Sequence, residues 1–233
     1  MQRFDLLQAS SKVIRNLAER RQNKEANRRL ALQFGQEYFD GPREQGYGGY
    51  RYDGRWRAVA QRAIEYFGLR PNDRILDIGC AKGFFVKDLI DTLPGIQAYG
   101  LDISEYALTH SHPDTKGRLY RGSCDALPHP DGFFAAAFAI NTIHNLDHAG
   151  CLRALREIER VAPGRGFVQV DAYRNDEELQ IFEDWVLTAR TYCKPEEWLT
   201  LFEEAGYTGA YYWTILEVDS NLIREIGSSA LTR

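Results

Sequence analysis

Residues Ile75-Leu76-Asp77-Ile78-Gly79-Cys80-Ala81-Lys82-Gly83-Phe84-Phe85 read as an apolar strand, a turn of small residues and the start of a helix. Gly79 and Gly83 bracket the turn, and a missing side chain there lets the backbone approach a ligand. In an open parallel sheet, ligands sit beyond the carboxyl ends of the strands, so this turn marks the end of the molecule to search. The stretch also excludes two phosphate cradles. A GxGxxG fingerprint starting at Gly79 fails at Ala81 and Phe84, and no Gly-Lys-Ser/Thr follows the strand as a P-loop requires.

Outward from this turn, short apolar runs alternate with helical stretches: RILDIG, FFVKDLIDTL, QAYGLD, SEYALTHS, GRLYRG, FFAAAFAIN, CLRALREIERV and GFVQVD. Strands of this length alternating with helices predict an α/β, doubly wound, mostly parallel sheet covered on both faces. Before it, WRAVAQRAIEYFGL has helical spacing and Gly68 as its stop. After it, DEELQIFEDWVLTA and PEEWLTLFEEAG read as helices, YYWTILEV as one strand, and SNLIREIGSSALTR as a fraying tail.

Residues 34 to 57 place six of the chain's 20 glycines among four tyrosines and four arginines, too much glycine for a long regular element. Phe4 to Leu32 reads as one or two weakly amphipathic helices forming an arm. The expected organisation is an N-terminal helical arm and Gly/Tyr/Arg-rich lid over 1–57, one main α/β domain over 58–218 and a C-terminal tail over 219–233.

Further strand ends carry polar groups. Asp102 closes YGLD, where its two oxygens match the vicinal hydroxyls of a ribose; capping the next helix is the other role open to it, and Ser104 competes for that. Asp125, in GSCDALP, is placed to accept a hydrogen bond from an exocyclic amine.

Taken in this order, the motifs from about Arg74 to Asp171 resemble the class I (Rossmann-like) methyltransferases that use S-adenosylmethionine, in particular bacterial stand-alone small-molecule enzymes. ILDIGCAKG looks like the family's nucleotide loop, YGLDIS its ribose-binding strand, GSCDALPHPDGFFAAAFAINTIHNL its adenine and fourth-strand motifs, and LREIERVAPGRGFVQVD the helix and fifth strand. The resemblance implies that Asp77, Gly79 and Gly83 line the methionine part of the cofactor, Asp102 the ribose and Asp125 the adenine, with Ile103, Ala126 and Asn141 among the contacts. Two departures stand out: Ala81 replaces a usual glycine, and one strand follows the last helix where the family often has two.

Methyl transfer from a sulfonium needs nucleophile and methyl held in line, and an oxygen or nitrogen acceptor that must shed a proton needs a base. His144, at the end of the fourth strand, is the first candidate base, the alternative being a histidine hydrogen-bonded at a strand-to-helix turn. Asp171 is the other candidate base, with Tyr173 and Arg174 beside it to orient a polar substrate. The lid residues Tyr47, Tyr50 and Arg55 are expected over the cleft, the tyrosines at the cofactor and Arg55 at the substrate. The expected substrate is a polar small molecule, such as a sugar or nucleotide-linked sugar; an amino-acid or guanidino nitrogen is the alternative. A nicotinamide-dependent oxidoreductase and a non-catalytic binding module are the rivals from other classes.

Composition narrows the partners. With 29 Lys+Arg against 33 Asp+Glu, the 233-residue chain has a formal charge of -4, without the basic excess of a domain that tracks nucleic acid. Residues 1–34 hold eight Lys+Arg and three Asp+Glu, giving that arm a local basic excess; it reads as a solvated helix or as a dock for an acidic partner. No apolar run is long enough to cross a bilayer, and Cys80, Cys124, Cys151 and Cys193 form no CxxC pair. The expectations are a cytoplasmic protein, monomer or homodimer, with no metal site, no membrane partner and no nucleic acid.

Overall fold

The alternating text becomes a seven-stranded sheet of β1 (Gln2–Arg3), β2 (Arg74–Ile78), β3 (Gln97–Asp102), β4 (Leu119–Arg121), β5 (Ala136–Ile140), β6 (Gly166–Asp171) and β7 (Ala210–Thr214). The strand order is β1-β7-β6-β5-β2-β3-β4. The computed structural model describes residues 1–8 and 17–216. The fraying tail, and with it the 219–233 segment, lies outside them. Every pairing among the described strands is parallel, so each crossover is covered by helices. The order reverses between β2 and β5, which puts the switch point beside the Gly79–Gly83 turn.

Side chains alternate across the sheet as the pleat requires. Leu76, Ile78, Ala139, Val168 and Val170 face α7 (His148–Val161) and α9 (Pro195–Ala205). Ile75, Ala98, Phe138 and Phe167 face α4 (Trp56–Phe67) and α5 (Phe84–Thr92). Asp77 alternates with Leu76 and Ile78 and therefore lies on the α4–α5 face. Gly68 ends α4 at φ 58° and Gly206 ends α9 at φ 70°, the left-handed stops their sequences promised.

Two features depart from the expectations. The seventh strand comes from the N-terminal end: Gln2 and Arg3 pair with Ala210 and Tyr211, and Leu6 is buried in the core. The basic arm, described from residue 17 as α1 (Leu17–Arg21) and α2 (Lys24–Ala31), is neither a freely solvated helix nor a vacant dock. Its cations clamp the end of α8 (Asp176–Trp185): Arg21 pairs with Asp184, Lys24 donates to the carbonyls of Asp184 and Val186, and Arg28 donates to the Ala189 carbonyl at 3.0 Å. Cations at a helix C-terminus meet its negative dipole end and its unpaired carbonyls. The clamp fastens the N-terminal segment to residues 184–189, and together they cap the carboxyl edge of the sheet.

Candidate active site

The turn after β2 is built for a close approach. Gly79 has φ 78°, and a Cβ there would meet Thr142 Oγ1 at 2.1 Å. Thr142 cannot easily yield, because its hydroxyl donates to the Ile78 carbonyl at 3.0 Å. The Gly79 and Cys80 amides donate to the Leu101 carbonyl at 2.7 and 3.1 Å, tying the turn to β3. Ala81 sits at φ 49°, a left-handed conformation that suits the family's usual glycine better than an alanine. Its Cβ nevertheless has a place, in an apolar cluster with Phe39 and Ala107.

Two carboxylates end neighbouring strands here. Asp102 accepts the Ala81 amide at 2.7 Å on one oxygen and the Ser104 amide at 2.8 Å on the other. Each oxygen keeps a further lone pair, as a ribose diol requires. Ser104 itself caps α6 (Glu105–Thr109) by accepting the Ala107 amide, so capping does not fall to Asp102. Asp77 and Asp102 are 5% and 8% exposed. Burial, with the Asp102 charge added, pushes the Asp77 carboxyl up to about 8, and burial raises Asp102 as well. A buried acidic pair of this kind favours a cationic ligand beside it. Ile103, next to Asp102, is 53% exposed and presents an apolar surface beside that carboxylate.

Residues 34–52 lie against this turn. The Tyr50 ring stacks on Phe84 at 4.9 Å, Tyr47 packs on Tyr50 at 4.5 Å, and Phe39 stacks with Tyr47 at 5.7 Å. Polar contacts fix the same segment: Lys82 Nζ bonds both oxygens of Asp40, Ser104 donates to the Phe34 carbonyl at 2.6 Å, and Tyr52 donates to Asp88 at 2.5 Å. At its base, the 4%-exposed Arg20 donates to the carbonyls of Glu44 and Gly46 and lies 4.3 Å over the Trp185 ring. Burial lowers the Arg20 guanidinium to about 10.

Asp125 lies beyond β4. Ser123 donates to one of its oxygens and Arg153 to the other, at 2.8 Å, and these bonds hold the carboxyl below its ordinary range. An exocyclic amine would therefore share Asp125 with Arg153. Ala126 is exposed beside it. Asn141 follows β5 at φ 53°, exposed, its amide donating to the Gln169 carbonyl at 2.9 Å.

His144, in the 3-10 turn Ile143–Asn145, is 5% exposed. Its Nδ1 accepts the Asp171 amide at 3.2 Å and lies 3.7 Å from an Asp171 carboxylate oxygen. Burial pulls its pKa below 6.5, against the opposing pull of Asp171. The neutral ring with its proton on Nε2 is the form this arrangement supports. The His144 carbonyl accepts the amides of Arg190 and Thr191 at 2.9 and 3.0 Å, so the residue anchors three segments. Tyr173, partly buried, and Arg174, exposed, follow Asp171; Arg174 bonds Glu178, and the exposed Arg55 bonds Asp53 inside the lid. The carboxyl edge thus brings Asp77, Asp102, Asn141, His144 and Asp171 onto adjoining strand ends, while both arginines hold acidic neighbours of their own.

Sequence patterns do not single out Asp40, Lys82, Tyr38 and Arg20, which fix residues 34–52, or Arg153, which holds Asp125. Lys82 carried a signal, since it stands inside the turn itself. Arg20 looks like any exposed helix charge until the fold closes over it, and Arg153 stays exposed, set apart only by its reach to Asp125. Among the described residues, no cluster of three or more His, Cys, Asp or Glu side chains is placed to hold a metal ion, and no helix is long and apolar enough to cross a membrane.

The profile of a family described as "Methyltransferase domain" matches residues 75–166, from β2 to the start of β6. The chain is 27% identical over 144 residues to a malonyl-acyl-carrier-protein O-methyltransferase of Legionella pneumophila, covering 60% of this chain and 49% of that protein. It is 29% identical over 128 residues to a demethylmenaquinone methyltransferase of Symbiobacterium thermophilum, covering 51% and 50%. The chain thus spans about half the length of these relatives. Among solved structures, the 4+2 cyclase SpnF superposes with a TM-score of 0.53 at 19% identity, over 85% of this chain and 75% of that one. The YcgJ protein of Bacillus subtilis superposes at 0.50 and 19%, over 63% and 66%. Those two likenesses show the fold, and the family match falls on the strands and turn that build the acidic edge. Residues 75–166 are thus similar to a methyltransferase domain, and they lie in a seven-stranded parallel sheet whose fold is shared with those solved structures.

Proposed function

We propose that the chain binds S-adenosylmethionine at the carboxyl ends of β2 and β3 and transfers its methyl group to an oxygen or nitrogen of a polar small molecule. The observation that carries this reading is the buried pair Asp77 and Asp102 on neighbouring strand ends, beside a turn that a Cβ at Gly79 would block. When bound, the cofactor supplies an electrophilic methyl on a sulfonium, whose positive charge is lost as the methyl leaves. Asp102 accepts the ribose hydroxyls with the lone pairs its two amide bonds leave over. Asp77, on the same sheet face, offers negative charge to the cationic methionine end. Asp125, Ile103 and Ala126 flank the adenine, Asn141 lies at the methionine end, and Tyr47 and Tyr50 close over the turn and exclude water.

On the acceptor side, Asp171 takes the proton. Its amide and carboxylate both lie against His144, which fixes them in place, and its own carboxylate is more accessible than the buried imidazole. His144 is thereby favoured as a positioning residue over a base. Tyr173, Arg174 and Arg55 orient a polar acceptor, such as a sugar or nucleotide-linked sugar. An amine or guanidine acceptor is the second reading, favoured by the acidic first turns of α8, with Asp176, Glu177 and Glu178, and of α9, with Glu196 and Glu197. In both readings the chain acts in the cytoplasm as a monomer or homodimer. The test is a labelled-methyl transfer assay against panels of sugars, nucleotide sugars, amino acids and guanidines, with mass spectrometry of the product. Labelled product from a polar acceptor is expected; no transfer to any member, with cofactor bound, would refute the reading.

A further inference from the structure

Two amides orient the Asp102 carboxylate, and both belong to turns that also grip residues 34–40. The Ala81 amide donates to one oxygen and the Ser104 amide to the other. Next to Ala81, the Lys82 ammonium bonds both oxygens of Asp40, at 2.7 and 2.6 Å, where α3 (Gln36–Asp40) ends. Ser104 itself donates its hydroxyl to the Phe34 carbonyl at 2.6 Å. Between these two ties, Phe39 packs with Ala81 and Ala107, and the Tyr106 hydroxyl of α6 donates to Asp40 at 2.7 Å. Lys82 is 6% exposed, so its charge depends on Asp40 far more than a surface cation would. Burial pushes the Asp40 carboxyl up, yet the bonds from Lys82 and Tyr106 outweigh it and hold the group below its ordinary range. The lid grows out of the same helix, since the Phe39 carbonyl accepts the Gly49 and Tyr50 amides at 3.2 and 2.8 Å.

We infer that α3 braces the ribose carboxylate. Lys82 and Asp40 are positioning residues: their pair fixes the turn carrying Ala81 against the segment that Ser104 also holds, and so sets the spacing of the two amides on Asp102. A vicinal diol needs both oxygens of Asp102 presented at once, which makes its recognition more sensitive to that spacing than contact with a single group. Fastening the lid alone does not call for Lys82, because Tyr50 on Phe84 and Tyr52 on Asp88 already tie it to α5. The brace itself stands without any ligand; its effect on ribose binding rests on the proposed cofactor site.

The full chain is compared with Lys82→Met, which keeps the buried stem, with Asp40→Ala, at the exposed end of the pair, and with the double variant. Without ligand, hydrogen exchange read by mass spectrometry is followed in short peptides holding the Ala81 and Ser104 amides, with peptides of α7 as the control. Coupling through packed contacts sets the scale, so both amides should exchange about three- to thirtyfold faster in either single variant, with α7 unchanged. The double variant should exchange no faster than the faster single one, because both changes break one link. With ligand, titration calorimetry compares S-adenosylhomocysteine with its 2′-deoxy analogue. The parent should prefer the intact ribose about tenfold or more, and that preference should fall at least about threefold in each single variant. Exchange of the two amides within about twofold of the parent, or effects that multiply in the double variant, would overturn the inference whatever the ligand does. Faster exchange with the ribose preference intact would also overturn it, since the pair would then fasten the lid without setting Asp102. A parent that binds neither ligand, with exchange accelerated as described, leaves the brace and removes the cofactor reading.

Discussion

Asp77→Asn is a change whose effect on stability follows directly from the site. The Asp77 carboxyl has an ordinary value of 3.8 and is pushed up to about 8 by burial and by Asp102. Across that window the folded chain binds the proton more tightly than the unfolded chain. Stability therefore falls as pH rises from about 4 to about 8, by up to about 1.4 kcal/mol per pH unit, and levels off above. With relaxation around the charge, the ionised carboxylate costs the folded state on the order of 3 to 5 kcal/mol at about pH 8. Asparagine keeps the shape and removes the charge. The variant and the parent should come closest at about pH 4 and below, where the carboxyl is protonated in both the folded and the unfolded chain, and should already differ by about 1 to 2 kcal/mol near about pH 5. Near about pH 8 the ligand-free variant should be more stable, with a midpoint higher by roughly 6 to 15 °C for a chain of this size. Scanning calorimetry of both proteins from about pH 5 to 8.5 reads the difference curve, in which titrations elsewhere in the chain cancel. Parallel profiles, with a constant offset, would show that Asp77 is not a buried charge held against its preference.

Other expectations follow from single contacts. Gly79→Ala meets Thr142 and adopts φ 78°, so urea unfolding should show a loss of about 2 kcal/mol or more. Asp102→Ala frees the Ala81 and Ser104 amides and removes the ribose acceptor, so calorimetry should show S-adenosylhomocysteine binding weaker by about tenfold or more. Asp171→Asn should lower kcat by about a hundredfold or more with little change in cofactor affinity, and His144→Gln should lower it less; the reverse ranking in steady-state kinetics would return the role of base to His144.

The strands and their turns were legible because each is a short apolar run bounded by glycine or a polar end. QAYGLD became β3 residue for residue, and WRAVAQRAIEYF became α4. The acidic pair was legible for the same reason, since a carboxylate at a strand end shows in the text. Gln2–Arg3 was not legible as a strand: two polar residues have no apolar pattern, and only the open edge of β7 makes them one. Nor was the fate of the basic arm, because Arg21, Lys24 and Arg28 find partners more than 150 positions away. Residues 41–57 read as a lid from their glycines and tyrosines, and Tyr50 does pack on the start of α5. What holds that segment, Arg20 beneath and Tyr38 beside, depends on contacts between distant segments, which periodicity does not encode.

The central claim is that the acidic edge at Asp77 and Asp102 binds the methyl donor. Its most direct test is titration calorimetry of the unmodified chain with S-adenosylhomocysteine at neutral pH. Saturable binding is expected at about one site per chain, with a dissociation constant in the range of about 1 µM to 1 mM typical of enzyme ligands. The absence of any binding heat at ligand concentrations of a few millimolar, in a chain that unfolds cooperatively in the same buffer, would contradict it.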